Sequence, residues 1–195
     1  VESSNATPGN CWSNLSNIKI RRNVIAYSYM VGTHAQGIFT HGGNDIPSVC
    51  AGSPPKGGYL LVEGNVLYHN GWYDSAVVAG SGATIYNRNA YLSTGYGNTT
   101  VAENIMAEGA SGGVQLRMGG TIDNNLFLRE PEGFSIGHEQ NPGNYNIGGV
   151  IKNNVVLDSG NIGTTQSGYR GTGFGFGSAT VTNSNTPIGT SLIDG

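Results

Sequence analysis

The sequence predicts an all-β fold, a right-handed parallel β-helix (β-solenoid), on three observations. A short frame of Asn followed by apolar residues recurs along the chain, a second strand-like run follows most copies, and Gly punctuates both. Of 195 residues 33 are Gly, and only 11% are charged. These glycines follow no three-residue period, so they mark turns between short strands and not a collagen-like rod. Good helix signals are almost absent.

The frame appears in Arg22-Asn23-Val24-Ile25-Ala26-Tyr27, Gly64-Asn65-Val66-Leu67-Tyr68, Glu103-Asn104-Ile105-Met106-Ala107, Asn124-Asn125-Leu126-Phe127-Leu128 and Asn153-Asn154-Val155-Val156-Leu157. Arg88-Asn89-Ala90-Tyr91-Leu92 reads as a weaker sixth copy. Copies separated by roughly 15–40 residues, with variable insertions, suit stacked coils. Asn at a fixed corner tolerates left-handed backbone, and stacked side-chain amides can bond along the axis. The apolar residue after each Asn is expected to point inward, giving an interior ladder of Val24, Val66, Ile105, Leu126 and Val155. A Greek-key sandwich also has many short strands, but it does not predict one frame recurring.

The second half-repeat is Gly37-Ile38-Phe39-Thr40-His41, Ser75-Ala76-Val77-Val78-Ala79, Gly113-Val114-Gln115-Leu116-Arg117 and Gly133-Phe134-Ser135-Ile136-Gly137. Strand alternation puts Ile38, Val114, Leu116 and Phe134 inside. Phe39, Val77, Gln115 and Ser135 then form one outward column, and His41, Ala79, Arg117 and Gly137 the next. One domain covers residues 1–195, with its clearest coils over 18–160. The Gly-rich stretch 161–195, which includes Gly171-Thr172-Gly173-Phe174-Gly175-Phe176-Gly177, reads as a further coil or a tail.

A net charge of -3 with no basic block argues against nucleic acid or a membrane surface as partner. No run reaches the roughly 18 apolar residues of a membrane-spanning helix. Val1-Glu2-Ser3-Ser4-Asn5 has neither an initiator Met nor an apolar signal core, as a mature exported chain would. Cys11 and Cys50 make an even count in a low-charge chain rich in Asn, Gly, Ser and Thr. That pattern leans toward a secreted protein with a Cys11–Cys50 disulfide, two unpaired thiols being the alternative.

Chemistry is expected on the outward face. Arg117 stands between Gly112-Gly113 and Gly119-Gly120, and small Ala79 and Gly137 leave space around it. A guanidinium there can hold a uronate carboxylate, with His41 and His69 as proton-transfer groups. Trp72, Tyr73, Gln115 and His138 are candidate substrate-binding residues, since flat rings stack on sugar faces. The plainer readings are a solvated Arg117 and histidines at 69 and 138 that only cap turns. His34, His41 and His69 with Asp45 match no metal-ligand spacing, so no metal site or cofactor is expected, Ca²⁺ being the one cation left open.

These repeats resemble the right-handed parallel β-helix proteins of the pectate-lyase-like superfamily, in particular bacterial secreted repeat proteins. The likeness is carried by Ile85-Tyr86-Asn87-Arg88-Asn89-Ala90-Tyr91-Leu92, Val114-Gln115-Leu116-Arg117-Met118-Gly119-Gly120 and Asn124-Asn125-Leu126-Phe127-Leu128. Gln115-Leu116-Arg117-Met118-Gly119 is loosely similar to the Leu-Arg-His-Gly tract of alginate- and chondroitin-type lyases, with Met118 in place of that His. The resemblance implies that Arg117 is a catalytic acid, while the Lys base of those lyases has no clear counterpart. Two function classes follow. The first is a secreted polysaccharide lyase acting on an acidic, uronate-containing polymer by β-elimination. The second is a non-catalytic solenoid, a fibre, surface-layer or adhesin component that can self-associate or join another chain.

Overall fold

The computed structural model describes residues 17–30, 34–40, 59–73, 84, 86–93, 99–117, 119–137, 148–160, 171–177 and 192–194. Within them the chain is an all-β parallel β-helix of stacked coils. The first coil carries β1 (Ile18–Arg21), β2 (Val24–Ala26), β3 (Tyr29–Met30) and β4 (Ile38–Thr40). The second repeats this with β5 (Leu60–Glu63), β6 (Val66–Tyr68), β7 (Trp72–Tyr73) and β8 (Arg88–Leu92). The third has β9 (Thr99–Ala102), β10 (Ile105–Ala107) and β11 (Gly112–Leu116). The fourth has β12 (Gly120–Asp123), β13 (Leu126–Leu128) and β14 (Glu132–Gly137). The fifth has β15 (Gly149–Lys152), β16 (Val155–Leu157) and β17 (Thr172–Gly177), and β18 (Leu192–Asp194) opens a sixth.

Equivalent strands of successive coils pair in parallel. Sheet I runs β1-β5-β9-β12-β15-β18, sheet II β16-β13-β10-β6-β2, and sheet III β17-β14-β11-β8-β4, while β3 and β7 form a short pair. The core is the inside of the coil. Val62, Val101 and Ile122 fill it from sheet I, Leu67, Met106 and Phe127 from sheet II, and Val114, Leu116, Phe134 and Ile136 from sheet III.

The repeated asparagines form the expected ladder. Asn23 Nδ2 donates to Asn65 Oδ1 at 3.1 Å, Asn65 to Asn104 at 3.0 Å, Asn104 to Asn125 at 2.9 Å and Asn125 to Asn154 at 3.0 Å. From Asn65 onward each amide also reaches back one coil, as Asn104 Nδ2 does to the Val62 carbonyl at 2.9 Å. One side chain thus clasps the coils before and after it, at about 1 kcal/mol net per bond. The left-handed residue at this corner is not the Asn itself but the one before it. Arg22, Glu103, Asn124 and Asn153 have φ of 53–57°, and Gly64, which carries no Cβ to strain, takes the equivalent place.

Two expectations need correction. Val24, Val66, Ile105, Leu126 and Val155 do share one register, but on the outward face, where Val24 is 77% exposed. The reason is parity. The ladder Asn takes the inward position, so the next residue points out and the second, Ile25, Leu67, Met106, Phe127 or Val156, points in. The sixth frame is also reassigned. Asn89 lies on β8 in sheet III, where Tyr91 pairs with Phe39 and Gln115 and so holds the place expected of Val77. Residues 74–83, Val77 among them, lie outside the described residues.

Candidate functional site

A second corner, between sheet II and sheet III, has a different chemistry. The residue following each sheet II strand is again left-handed: Tyr27, His69, Glu108, Arg129 and Asp158, all with φ of 53–60°. Such a conformation costs a non-Gly residue about 1–2 kcal/mol. Cross-coil backbone bonds hold it, among them Tyr27 N to Tyr68 O at 3.2 Å and His69 N to Ala107 O at 3.0 Å. The five side chains therefore stack along the axis at about 4.8 Å per coil.

At the first two coils this column is aromatic. The His69 ring lies 4.9 Å from Trp72 and nearly parallel to it, 5.6 Å from Tyr27, 5.7 Å from Tyr68 and 6.3 Å from Tyr29. Trp72 Nε1 donates to the Glu108 carbonyl at 2.6 Å, which fixes the indole against the next coil. Tyr27 and Tyr29 are 56% and 46% exposed.

Further along, the column becomes ionic. Glu108 accepts from the Tyr68 hydroxyl at 3.2 Å and from Arg129 Nη1 at 2.9 Å, and Arg129 Nε lies 3.6 Å from Asp158. The Glu108 carboxylate beside Tyr68, as hydrogen-bond acceptor and as charge, pushes the phenol pKa up. His69 Nδ1 lies 3.5 Å from Glu108 Oε2, short of a good hydrogen bond, and has no hydrogen-bond partner among the described residues. Beneath this corner Glu130 is fully buried, accepting from Asn89 Nδ2 at 2.6 Å and Gly109 N at 3.0 Å. Burial pushes its carboxyl up to about 8, against the opposing pull of Asn89, Gly109 and Arg88.

Arg117 stands elsewhere, just past β11 at the far end of sheet III. Its Nη1 donates to the Tyr91 hydroxyl at 2.6 Å, its guanidinium carbon lies 5.8 Å from that ring centroid, and it is 6% exposed. Gln115 sits in the outward column between Tyr91 and Ser135, and all three are buried. On the third coil Glu108, the neighbour of His69, precedes β11 and Arg117 follows it. The five residues of that strand span about 16 Å, so His69 and Arg117 belong to different surfaces. Trp72 joins His69, and Tyr73 lies in β7 opposite Met30. His41, His138, Cys11 and Cys50 lie outside the described residues. Among the described residues no group of three His, Cys, Asp or Glu side chains could hold a metal ion.

Sequence reasoning missed Tyr27, Tyr68, Glu108, Arg129 and Asp158 as a site. The signal was present, since all but Tyr68 occupy the position one past the apolar triplet of the Asn frame. Their chemical diversity hid it. Comparison of the chain with protein-family models, with curated proteins and with solved structures found no match.

Proposed function

We propose that the protein is a secreted, carbohydrate-binding β-solenoid that recognises polysaccharide at the second corner, consistent with its resemblance to the pectate-lyase-like superfamily. The observation that carries this reading is the half-exposed ring cluster of Tyr27, Tyr29, Tyr68 and Trp72 around His69, with Glu108 and Arg129 beside it. Flat rings take the apolar faces of sugars, and the adjoining carboxylate and guanidinium take hydroxyl groups. Affinity electrophoresis against a panel of soluble polysaccharides is the test. Retardation by at least one polymer, lost in Tyr29→Ala, is expected, and migration unchanged across the panel would remove the reading.

A second reading, β-elimination of a uronate-containing polysaccharide, is favoured by one contact. Arg117 against the Tyr91 hydroxyl sets a cation for the carboxylate beside a phenol able to move a proton. Gln115 would then orient substrate, with His41 kept as a proton-transfer candidate and His69, on the other surface, left out. Both members of the pair are buried, so this reading requires the sheet III face to open to the polymer. Ultraviolet absorbance of the unsaturated uronate product, on alginate, pectate and glycosaminoglycans, is the assay. Lyase activity lost in Arg117→Ala, with thermal stability kept, is the expected result, whereas unchanged activity in that variant would move the chemistry elsewhere.

A further inference from the structure

We infer that the glycan bound at the second corner lies along the solenoid axis and carries amines, not uronates. The inference rests on the carbohydrate reading of that corner and names its ligand class. Direction comes first. The left-handed column from Tyr27 to Asp158 places one side chain per coil, and a coil rise of about 4.8 Å is close to the length of one pyranose unit. A glycan laid along the axis meets a new side chain at each sugar, whereas one laid across it leaves the column after a single contact.

Charge then sets the class. The ionisable groups of the column are His69, Glu108, Arg129 and Asp158. Arg129 is held from both sides, by Glu108 at 2.9 Å and by Asp158 at 3.6 Å, so its charge is already matched. The His69 ring, 3.5 Å from Glu108, shares that carboxylate with Arg129, whereas Asp158, its side chain 77% exposed, faces Arg129 alone among the described residues. A uronate polymer would bring further carboxylates beside Asp158, where among the described residues the one paired cation is Arg129. Along a hexosamine oligomer the ammonium of one sugar meets Asp158, while the ring faces of sugars three to four coils away lie on Trp72 and the tyrosines.

The test titrates the whole protein with oligomers of glucosamine, N-acetylglucosamine and galacturonic acid of equal length, at a mildly acidic pH where the amine is charged. Glucosamine oligomers are expected to bind tightest and galacturonate oligomers weakest. Asp158→Asn should lower glucosamine affinity about two- to fivefold and leave N-acetylglucosamine unchanged, as for an exposed ion pair. Tyr29→Ala, at an exposed ring that spares the packing beneath, should weaken both by up to about tenfold. Galacturonate binding as tightly as glucosamine, or an Asp158→Asn variant with unaltered glucosamine affinity, overturns the ligand class alone. Binding of none of the three overturns it together with the carbohydrate reading if no polymer of the wider panel is retarded either.

Discussion

Sheet II turns Val24, Val66, Ile105 and Val155 to solvent, whereas sheet III turns Tyr91, Gln115, Ser135 and Arg117 outward and buries them. The apolar residues are outside and the polar ones are covered, the reverse of what hydrophobicity alone assigns. Strand period decides only whether a side chain points into the coil or away from it. Whether "away" means water depends on the rest of the chain. In sequence, the long segments after β4, before β8, after β14 and before β17 all adjoin sheet III, while the strands of sheet II join sheet I through two-residue corners. Exposed aliphatic side chains are tolerable singly or in a narrow column. Polar side chains under cover need partners, and sheet III supplies them only in part: Arg117 Nη1 meets the Tyr91 hydroxyl, while Ser135 Oγ has no hydrogen-bond partner among the described residues.

The largest expected effect tests that cover. Arg88 is 2% exposed and its Nη2 meets Glu132 Oε2 at 2.5 Å, two coils away. The reach is open because Gly112 lies between, where an added Cβ would sit 2.6 Å from Arg88 Nη1. Arg88→Ala leaves a buried carboxylate without its guanidinium and is expected to cost about 3–5 kcal/mol in denaturant unfolding. Arg88 Nε and Nη1 have no hydrogen-bond partner among the described residues, so the pair is costly to keep dry. Arg88→Met combined with Glu132→Met should therefore be less destabilising than Arg88→Ala alone. A double variant at least as unstable as the single would mean that the buried charges give sheet III net stability.

A middle-sized effect comes from Glu130, between the two faces. Its carboxyl is raised from 4.5 to about 8 by burial. In the folded chain it keeps its proton to about pH 8, whereas the unfolded chain releases it near 4.5. Unfolding therefore sheds a proton within that window, and stability falls as pH rises through it, by roughly 1.4 kcal/mol per unit at most. Below the window the contribution is fully present, and above it the loss is complete. Glu130→Gln should flatten this stretch of the stability–pH curve and be relatively most stable at its alkaline end. An unchanged slope would place the titration on another group.

Much of the fold was legible because stacking repeats its demands. Asn23, Asn65, Asn104, Asn125 and Asn154 recur since each must clasp two coils, and no other side chain both donates and accepts in that slot so compactly. The face of each strand was not legible from apolar character, because the same frame holds two or three apolar residues in a row. The parity was carried by Asn, whose amide ladder the repeats announce but whose inward place apolar character argues against. The candidate corner was hidden for a related reason. Its backbone conformation repeats at every coil while its side chains, Tyr, His, Glu, Arg and Asp, share nothing a pattern search would align.

The smallest expected effect lies on sheet II and separates the two residues that the parity argument exchanges. Leu126 and Phe127 are adjacent on β13, both apolar and both stacked on equivalents above and below. Phe127 is fully buried against Phe134 at 5.3 Å between ring centroids, whereas Leu126 stands in the outward column between Ile105 and Val155. An aspartate at an inward position would bury an unpaired charge and cost several kcal/mol. At Leu126 it meets water on the open side and only aliphatic neighbours along the column, so Leu126→Asp should cost no more than about 1 kcal/mol. Urea unfolding of the wild type and Leu126→Asp measures it. A loss of several kcal/mol would mean that the outward face of sheet II is covered as sheet III is, and the contrast between the two faces would collapse.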